Sequence, residues 1–314
     1  MNGRKIKIID GSSNPKLVKA ICNHPNLNGT YVDVLVSSFA DSETRIEINE
    51  NMRGCDVFVV QPTSNPANEY LILLYLILDS LKMSNCWRVT AVVPYYGYAR
   101  QDKKLKPRVP ISAKDVADLI QLGGINRLLT MDLHSNQIQG YFNCAVDNLF
   151  SSSIFLNHMK DNLTDDTVMV SPDVGGIERV VYYSKKLGIG TAMIHKSRSN
   201  PNEIERMVLL GSVRDCRVII ADDMIDTAGT LCKAATVLKD AGAKEIVAYA
   251  SHGLFSGEAY TKIEDSSFDK IFVTDSIEQD LVVTDKIEVL SCADLFANAI
   301  VNIHNETSVS CLFE

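Results

Sequence analysis

Two adjacent acids and a short segment after them give this sequence its clearest chemical signal. The apolar run Val218–Ala221 predicts a buried strand, and Asp222 and Asp223 follow it directly. Asp226–Thr230 (DTAGT) comes next and opens a predicted helix, Leu231–Ala241. Acids at the carboxyl end of a strand lie where open α/β sheets bind ligands. They predict acceptors for sugar hydroxyls or for a bound cation.

The DTAGT segment predicts a phosphate site. The first N–H groups of a helix carry roughly half a positive charge and point at whatever lies beyond the helix. Gly229 allows the backbone to approach a ligand closely, and Thr227 and Thr230 add hydroxyl donors. An isolated D-T-x-G-T would more often be an ordinary capped turn. Two acids at the end of a buried strand are harder to dismiss, because they are costly there without a ligand or metal.

Further candidates lie on other segments. Arg100–Arg108 (RQDKKLKPR) carries five basic residues and one acid in an acidic protein, which predicts binding of a nucleotide triphosphate, although charge runs are usually solvated loops. His134 follows a predicted strand and the acid Asp132, and alone it would more often be structural. Lys196 and Arg198 follow the apolar run Thr191–Ile194, and they are either part of a solvated connection or cations on a catalytic lid.

Short apolar β-branched runs alternate with helical stretches, which is typical of an α/β fold with mainly parallel sheets covered on both faces. Two stretches, Gly124–His134 and Gly242–His252, share a glycine, a strand and a histidine at equal separation, which is compatible with two similar halves. The polar stretch Asn148–Ser153 is the expected boundary. The predicted strands are Lys5–Ile9, Tyr31–Val36, Val57–Val60, Val89–Val93, Leu128–Met131, Val168–Val170, Thr191–Ile194, Val218–Ala221, Ile246–Ala250 and Lys270–Val273.

Composition excludes several classes of protein. The 314 residues, 46% of them hydrophobic, are enough for two domains and are too apolar for a disordered chain. A net charge of -8 argues against a nucleic-acid binder. The longest apolar run, Tyr70–Leu78, is about half the length that spans a bilayer. The eight cysteines include no C-x-x-C, and the sequence starts without a signal peptide. These two features predict reduced thiols and a cytoplasmic protein, with no membrane partner.

The motifs together resemble those of the ribose-phosphate diphosphokinase family (phosphoribosyl-diphosphate synthetases, class I). The resemblance covers nearly the whole chain and rests on ordered segments, namely GSSNP, FADSETRIEI (Phe39–Ile48), VTAVVPYYGYARQDKK (Val89–Lys104), PISAK, TMDLHSNQIQGYF (Thr130–Phe142), SPDVGG (Ser171–Gly176), HKSR (His195–Arg198), the Arg217–Thr230 stretch, SHGLFSG and SVSCLF. It implies two tandem type I phosphoribosyltransferase-like domains, 1–148 on the ATP side and 149–314 on the ribose 5-phosphate side. The final tail is expected to pack against the first domain.

The resemblance also implies a reaction and its residues. The β,γ-diphosphoryl group of ATP would pass to the 1-hydroxyl of ribose 5-phosphate, with ATP supplied across a subunit contact and Mg²⁺ as cofactor. Lys196 and Arg198 would be catalytic, and the motifs identify no general base. The implied ATP-binding residues are Phe39, Asp41, Ser42, Glu43, Arg100, Gln101, Asp102 and His134. The implied ribose 5-phosphate residues are Arg198, Asp222, Asp223, Asp226, Thr227, Ala228, Gly229 and Thr230. His134 and Asp173 would contact the metal.

Regulation and assembly enter through the same resemblance. It implies inorganic phosphate as activator, ADP as inhibitor and a homohexamer built from dimers. The matching effector positions are Ser135, Asp147, Asn148, Ser308, Val309, Ser310 and Phe313. The chain departs from the family at Val174, where alanine is common, and at Cys311, where an aromatic residue is frequent.

Three alternatives share parts of this pattern. A phosphoribosyltransferase that consumes the product has the same phosphate loop, but it is typically a single domain without the ARQDKK and HKSR segments. A non-catalytic regulatory subunit of the same family would have lost catalytic loops, which are intact here. A sensor or transcription factor on this fold would carry an added DNA-binding segment before the first strand, and none precedes Lys5.

Overall fold

The computed structural model describes residues 3–197, 206–279 and 284–313. In chain order its elements are β1 (Ile6–Asp10), α1 (Pro15–Cys22), β2 (Gly29–Val32), β3 (Val34–Ser38), β4 (Thr44–Ile48), β5 (Asp56–Val60), α2 (Ala67–Met83), β6 (Arg88–Val93), α3 (Ser112–Leu122), β7 (Arg127–Met131), a 3₁₀ turn (Asn136–Tyr141), β8 (Ala145–Leu149), α4 (Ser152–Asp161), β9 (Thr167–Ser171), α5 (Ile177–Leu187), β10 (Gly190–Ser197), β11 (Arg206–Leu210), β12 (Arg217–Ile225), α6 (Gly229–Asp240), β13 (Glu245–Gly253), α7 (Ala259–Glu264), β14 (Lys270–Thr274), β15 (Ile287–Leu290), α8 (Ala293–His304) and a 3₁₀ turn (Ser310–Leu312). No helix within the described ranges is long and apolar enough to cross a membrane.

The chain forms two compact units. The first comprises the described parts of Met1–Phe150, Asp275–Glu278 and Ser291–Glu314, and the second comprises those of Ser151–Thr274 and Gln279–Leu290. Each unit is built on one sheet with parallel strand pairs, apart from the antiparallel pair β10–β11. The α/β fold class predicted from the sequence is therefore confirmed.

The first unit contains the six-stranded sheet β2-β1-β5-β6-β7-β8 and a separate two-stranded sheet, β3-β4. Its apolar strand residues are buried together with the leucines of α2 and the small and branched residues of α3. The single strand predicted over Tyr31–Val36 is wrong. Asp33 separates it into β2, at the edge of the large sheet, and β3, which pairs with β4.

The second unit contains the sheet β11-β10-β9-β12-β13-β14-β15. Alternate residues of β12 join two different cores, because successive side chains of a strand point to opposite faces. Val218 and Ile220 pack with α6 and α7, whereas Ile219 and Ala221 pack with α4 and α5. Both faces of this strand are therefore covered, which explains its continuous apolar run.

Both sheets place their strands in one shared order, since β2-β1-β5-β6-β7-β8 corresponds to β10-β9-β12-β13-β14-β15. The order supports two similar halves. It also corrects the sequence repeat, because Gly124–His134 contains β7 and Gly242–His252 contains β13, whereas β7 corresponds to β14. The repeat seen in the sequence is thus one strand out of register, since glycine followed by a strand recurs at every step of such a fold.

The last helix belongs to the first unit and is held there by a buried ionic network. Asp56 is fully buried and accepts hydrogen bonds from Arg88 Nε at 2.9 Å and from Arg88 Nη2 at 2.5 Å. His304 Nδ1, in the last turn of α8, lies 2.8 Å from Asp56 Oδ2, and Arg88 Nη2 also donates to the Ile303 carbonyl at 3.0 Å. Breaking one partner of such a buried pair leaves a charge unpaired, so the network fixes α8 against β5 and β6.

Candidate functional site

The carboxyl edge of the seven-stranded sheet carries most of the predicted second-unit residues. β12 does not end at Ala221 as predicted but continues to Ile225, because β13 extends alongside it as far as Gly253. Asp222 and Asp223 therefore lie within the strand rather than after it. The helix α6 also begins two residues earlier than predicted, at Gly229.

The turn between β12 and α6 presents a helix N-terminus. Ala228 has a left-handed backbone (φ 58°) and occupies the cap position, so no side chain caps the first N–H groups of this 12-residue helix. These N–H groups have no acceptor within the helix. A Cβ built on Gly229 meets no atom within 4 Å, so open space lies beside the backbone there. This arrangement is suited to an anion such as a phosphate.

The acid pair next to this turn is held by an arginine that the sequence reasoning missed. Arg179 Nη1 donates to Asp222 Oδ1 at 3.1 Å, and Arg179 Nη2 lies 3.6 Å from Asp223 Oδ1. The backbone N–H of Asp223 also donates to Asp222 Oδ1 at 2.9 Å. Burial and the neighbouring Asp223 carboxylate raise the pKa of Asp222 to about 7, and the Arg179 charge opposes that rise.

This pKa predicts how Asp222 affects stability. The ordinary pKa of this carboxyl is 3.8, so in the unfolded chain it loses its proton near pH 4, whereas in the folded protein it keeps the proton up to about pH 7. The folded state therefore binds more protons between pH 4 and pH 7, and its stability falls as the pH rises through that window. Above pH 7 the penalty is fully present. Replacing Asp222 with asparagine is therefore expected to raise the free energy of unfolding at pH 8 by about 1–2 kcal/mol, since solvent screens part of the charge on this partly exposed side chain. At pH 4 the same substitution should change the free energy of unfolding little, because Asp222 is then protonated.

Urea unfolding of the ligand-free protein at both pH values measures this effect. Asp165→Asn is the matched control, because Asp165 is exposed on a loop. An equal gain for Asp222→Asn at pH 4 and pH 8 would contradict the expected electrostatic origin.

Asp173 lies at the same edge of the sheet, after β9, which is the neighbour of β12. Its Oδ1 accepts from the Gly176 N–H at 3.1 Å, and its carbonyl accepts from the Ser171 hydroxyl at 2.5 Å. These bonds fold the SPDVGG loop tightly before α5. Val174, the departure from the family pattern, is 59% exposed. Its larger side chain therefore meets solvent rather than a packed core.

Lys196 lies in β10, on the other side of β9. β10 pairs with β9 only as far as Met193 and Ser171, and it then continues to Ser197 beside β11. The backbone of Lys196 therefore extends beyond the carboxyl end of β9. Its side chain, together with Arg198 and the rest of the predicted lid, lies outside the described residues.

The predicted ATP-side residues occupy separate segments of the first unit. Phe39, Asp41, Ser42 and Glu43 form the tip of the β3–β4 hairpin. The Phe39 N–H donates to the Glu43 carbonyl at 2.9 Å, the Ser42 N–H donates to the Phe39 carbonyl at 3.0 Å, and Asp41 Oδ1 accepts from the Glu43 N–H at 3.1 Å. The tip holds the Phe39 side chain 55% exposed. An exposed ring on a well-bonded turn can stack on a base.

Arg100, Gln101 and Asp102 lie between β6 and α3. Gln101 is anchored to the start of α3, since its Oε1 accepts from the Ser112 hydroxyl at 2.6 Å and its carbonyl accepts from the Ala113 N–H at 3.2 Å. The Asp102 carbonyl accepts from the Tyr141 hydroxyl. Arg100 is exposed. These bonds hold the segment's backbone and leave the arginine side chain at the surface.

His134 and Ser135 follow β7, the strand next to β6 in the sheet. His134 is exposed. The ends of neighbouring parallel strands meet at one sheet edge, so His134 and Arg100 follow adjacent strands there. Within the described residues, no three His, Cys, Asp or Glu side chains are grouped to hold a metal ion. Mg²⁺ commonly takes only one or two carboxylates and completes its shell with phosphate oxygens and waters, so a single carboxylate such as Asp173 fits that ion.

A cavity of about 570 Å³ in the first unit brings together most of the predicted effector positions. Ser135 is absent from its lining. Phe150 and Phe313 meet edge to face with centroids 5.3 Å apart, and Arg127 pairs with Asp147. The lining is otherwise rich in amides and hydroxyls. Its residues are Asn136, Gln139, Val146, Asp147, Asn148, Phe150, Ser308, Val309, Ser310 and Phe313.

Comparisons with known proteins agree along the whole chain. A family described as the N-terminal domain of ribose phosphate pyrophosphokinase matches residues 6–124, and one described as phosphoribosyl synthetase-associated domain matches residues 198–314. A ribose-phosphate pyrophosphokinase of Cereibacter sphaeroides is 46% identical, covering 98% of this chain and 94% of that protein. One of Helicobacter pylori is 44% identical, covering 99% and 96%. The crystal structure of phosphoribosylpyrophosphate synthetase from Mycobacterium smegmatis superposes with a TM-score of 0.91 at 33% identity, covering 96% of this chain and 100% of that one.

Proposed function

The chain belongs to the ribose-phosphate pyrophosphokinase family, and from that membership we propose how its residues carry out the reaction. The protein is an enzyme that transfers the β,γ-diphosphoryl group of ATP to the 1-hydroxyl of ribose 5-phosphate, giving 5-phosphoribosyl 1-diphosphate and AMP for nucleotide biosynthesis. The observation that carries the local assignment is the uncapped start of α6 directly after an acid pair. That arrangement combines an anion site with acceptors for hydroxyl groups.

Ribose 5-phosphate is assigned to the second unit. Its phosphate would accept hydrogen bonds from the first N–H groups of α6 and from the hydroxyls of Thr227 and Thr230. The ribose hydroxyls would donate to Asp222 and Asp223, while Asp226 and Ala228 shape the turn. The open space at Gly229 admits the phosphate close to the backbone.

ATP is assigned to the first unit. Phe39 would stack on adenine, with Asp41, Ser42 and Glu43 ordering the hairpin tip and contacting the base. Arg100 would bind phosphate oxygens, for which its planar guanidinium is well suited. Gln101, Asp102 and His134 would complete this side.

In the reaction, the 1-hydroxyl oxygen of the sugar attacks the β-phosphorus of ATP while the bond from that phosphorus to the α-phosphate oxygen breaks. AMP leaves with that oxygen, the proton of the attacking hydroxyl is released to solvent, and the β and γ groups move together. Positioning and electrostatics supply most of the acceleration in phosphoryl transfer. Lys196 and Arg198 would neutralise charge that develops on the transferred group. Mg²⁺, when bound near His134 or Asp173, would neutralise phosphate charge.

Regulation and assembly are part of the same proposal. The cavity lined by Asp147, Asn148 and the Ser308–Phe313 segment would bind effectors, with inorganic phosphate as activator and ADP as inhibitor. Ser135 would adjoin it. The assembly would be a homohexamer of dimers, and the absence of a disulfide among the cysteines that the structure describes is compatible with a reducing cytoplasm.

An isotope experiment tests the reaction. Purified protein is incubated with Mg²⁺, ribose 5-phosphate and ATP labelled in turn at the β- and the γ-phosphate. We expect both labels in the phosphoribosyl product and one AMP for each product molecule. ADP formation would indicate transfer of the γ-phosphate alone and would refute the diphosphoryl assignment. Absence of AMP would instead favour the regulatory-subunit alternative, and a parallel assay with phosphoribosyl diphosphate and nucleobases tests the phosphoribosyltransferase alternative.

A further inference from the structure

Arg179 occupies an unfavourable place for a cation. It is the third residue of α5, within the first turn, where the helix dipole favours negative charge. Glu178 beside it follows the usual preference, whereas Arg179 does not. A cation at the positive end of a helix destabilises that helix. The contacts of the Arg179 side chain, rather than the helix dipole, therefore account for an arginine at this position.

The guanidinium reaches both members of the acid pair on β12. It lies 3.1 Å from Asp222 Oδ1 and 3.6 Å from Asp223 Oδ1, and the arginine and Asp222 side chains are each about one-third exposed while Asp223 is more buried. Two partly buried carboxylates on adjacent residues repel one another. Among the side chains that the structure describes, the charged groups that act on Asp222 are Asp223, on its own strand, and Arg179, from the helix packed beside that strand.

The protonation state of Asp222 and Asp223 determines which hydrogen bonds they can form with a sugar. An ionised carboxylate only accepts hydrogen bonds, whereas a protonated one also donates. Hydroxyls that donate to the site therefore find more acceptors when both carboxyls are anions. The Arg179 charge favours that state, because it opposes the rise in the pKa of Asp222.

We propose that Arg179 is a positioning residue for ribose 5-phosphate, which orients Asp222 and Asp223 so that their carboxyl oxygens accept the hydroxyls of the sugar. This inference rests on the proposed function of the second unit. Arg179 acts through the acid pair rather than on the reacting atoms. Its removal is therefore expected to weaken sugar binding more than it alters the chemical step.

The test measures ribose 5-phosphate binding by calorimetry in the absence of ATP, at pH 8, where the wild-type Asp222 carboxyl is mostly ionised, and at pH 10. For Arg179→Gln we expect about ten-fold weaker binding at pH 8, because the lost positive charge lets Asp222 keep its proton to higher pH, and a smaller deficit at pH 10. Arg179→Lys keeps the charge and should restore most of the affinity. Lys185→Gln, an exposed cation on the same helix, is the matched control and should bind as the wild type does.

Two outcomes would overturn the inference. One is an unchanged affinity in Arg179→Gln at both pH values, and the other is a loss of equal size at both pH values that lysine does not restore. Should Arg179→Gln unfold easily, Arg179→Gln/Asp222→Asn supplies a second measurement. Removing the acid that faces the missing arginine is expected to recover stability, and failure to recover it would also count against the pairing.

The inference and the proposed function fail separately. If the wild type does not bind ribose 5-phosphate, the sugar assignment is wrong. The effect of Arg179 on the acid pair is still measured in the ligand-free protein by NMR titration of the side-chain carboxyl carbons. The titration midpoint of Asp222 is expected to rise in Arg179→Gln and to stay unchanged in Lys185→Gln. An unmoved midpoint in Arg179→Gln would overturn the role of the arginine.

Discussion

Replacing Lys196 with alanine is expected to lower kcat by about 10³-fold, while the KM for ribose 5-phosphate changes by about two-fold or less. The reason is that its proposed partner is charge on the transferred diphosphoryl group, which grows as the bond to AMP breaks. An interaction that strengthens only in the transition state appears in kcat rather than in substrate binding. A factor of 10³ corresponds to about 4 kcal/mol, which is the size of one lost electrostatic donor at a reacting centre.

Steady-state kinetics of the purified variant, with AMP as the measured product, check this expectation. Lys196→Arg is the informative companion, since it keeps the charge but changes its shape, and it should recover part of the rate. Lys185→Ala, on the surface of α5, controls for the loss of a lysine from the second unit. Turnover of Lys196→Ala close to that of the wild type would remove this lysine from the catalytic machinery.

Replacing Gly229 with valine is expected to weaken ribose 5-phosphate binding about 100-fold without destabilising the protein. A Cβ at this position meets no atom within 4 Å, so the folded chain has room for the new side chain. The same room is where the sugar phosphate would reach the first N–H groups of α6. A branched side chain there keeps the anion from the helix N-terminus, and a site that loses its charged hydrogen bonds loses a few kcal/mol.

The variant is assessed by its melting temperature and by the KM values for both substrates. We expect an unchanged melting temperature, a greatly raised KM for ribose 5-phosphate and a nearly constant KM for ATP. Gly190→Val is the matched control, because Gly190 begins β10 at the opposite edge of the same sheet and its Cβ would only touch Val168 at 4.0 Å. Normal sugar binding by Gly229→Val would mean that the phosphate lies elsewhere.

The fold could be predicted from the sequence where burial is two-sided. Strands such as β5, β6 and β13 are covered by helices on both faces, so each appears as a continuous apolar run. β4 (TRIEI) and β15 (IEVL) mix apolar with charged residues and were missed, as were β8 and β11. Amphipathic strands at edges or in hairpins depend on a partner strand, which one local segment does not reveal.

In the site as well, features set by neighbouring residues could be predicted from the sequence, whereas features that depend on distant residues could not. The turn between β12 and α6 is a local motif, and its proposed role as a phosphate site could be predicted from the spacing of its residues. The end of β12 could not be predicted from the sequence, because Asp222 and Asp223 interrupt the apolar run. The strand nevertheless continues past Ala221, since β13 still pairs with it there. Arg179 lies more than 40 residues before the pair it contacts, on a helix that looks like any charged surface helix. The one local sign of a role for Arg179 is its positive charge in the first turn of the helix that follows SPDVGG.

The buried link between Asp56, Arg88 and α8 has a consequence for how the chain is made. Asp56 and Arg88 are translated long before their partners, because His304 and the Ile303 carbonyl follow more than 200 residues later. Until then, the nascent first unit holds a carboxylate and a guanidinium in its interior without their last partners. The buried network of the first unit is therefore completed only after most of the second unit has been translated, and a transcript truncated before codon 293 would yield a chain in which Asp56 and Arg88 lack their partners on α8.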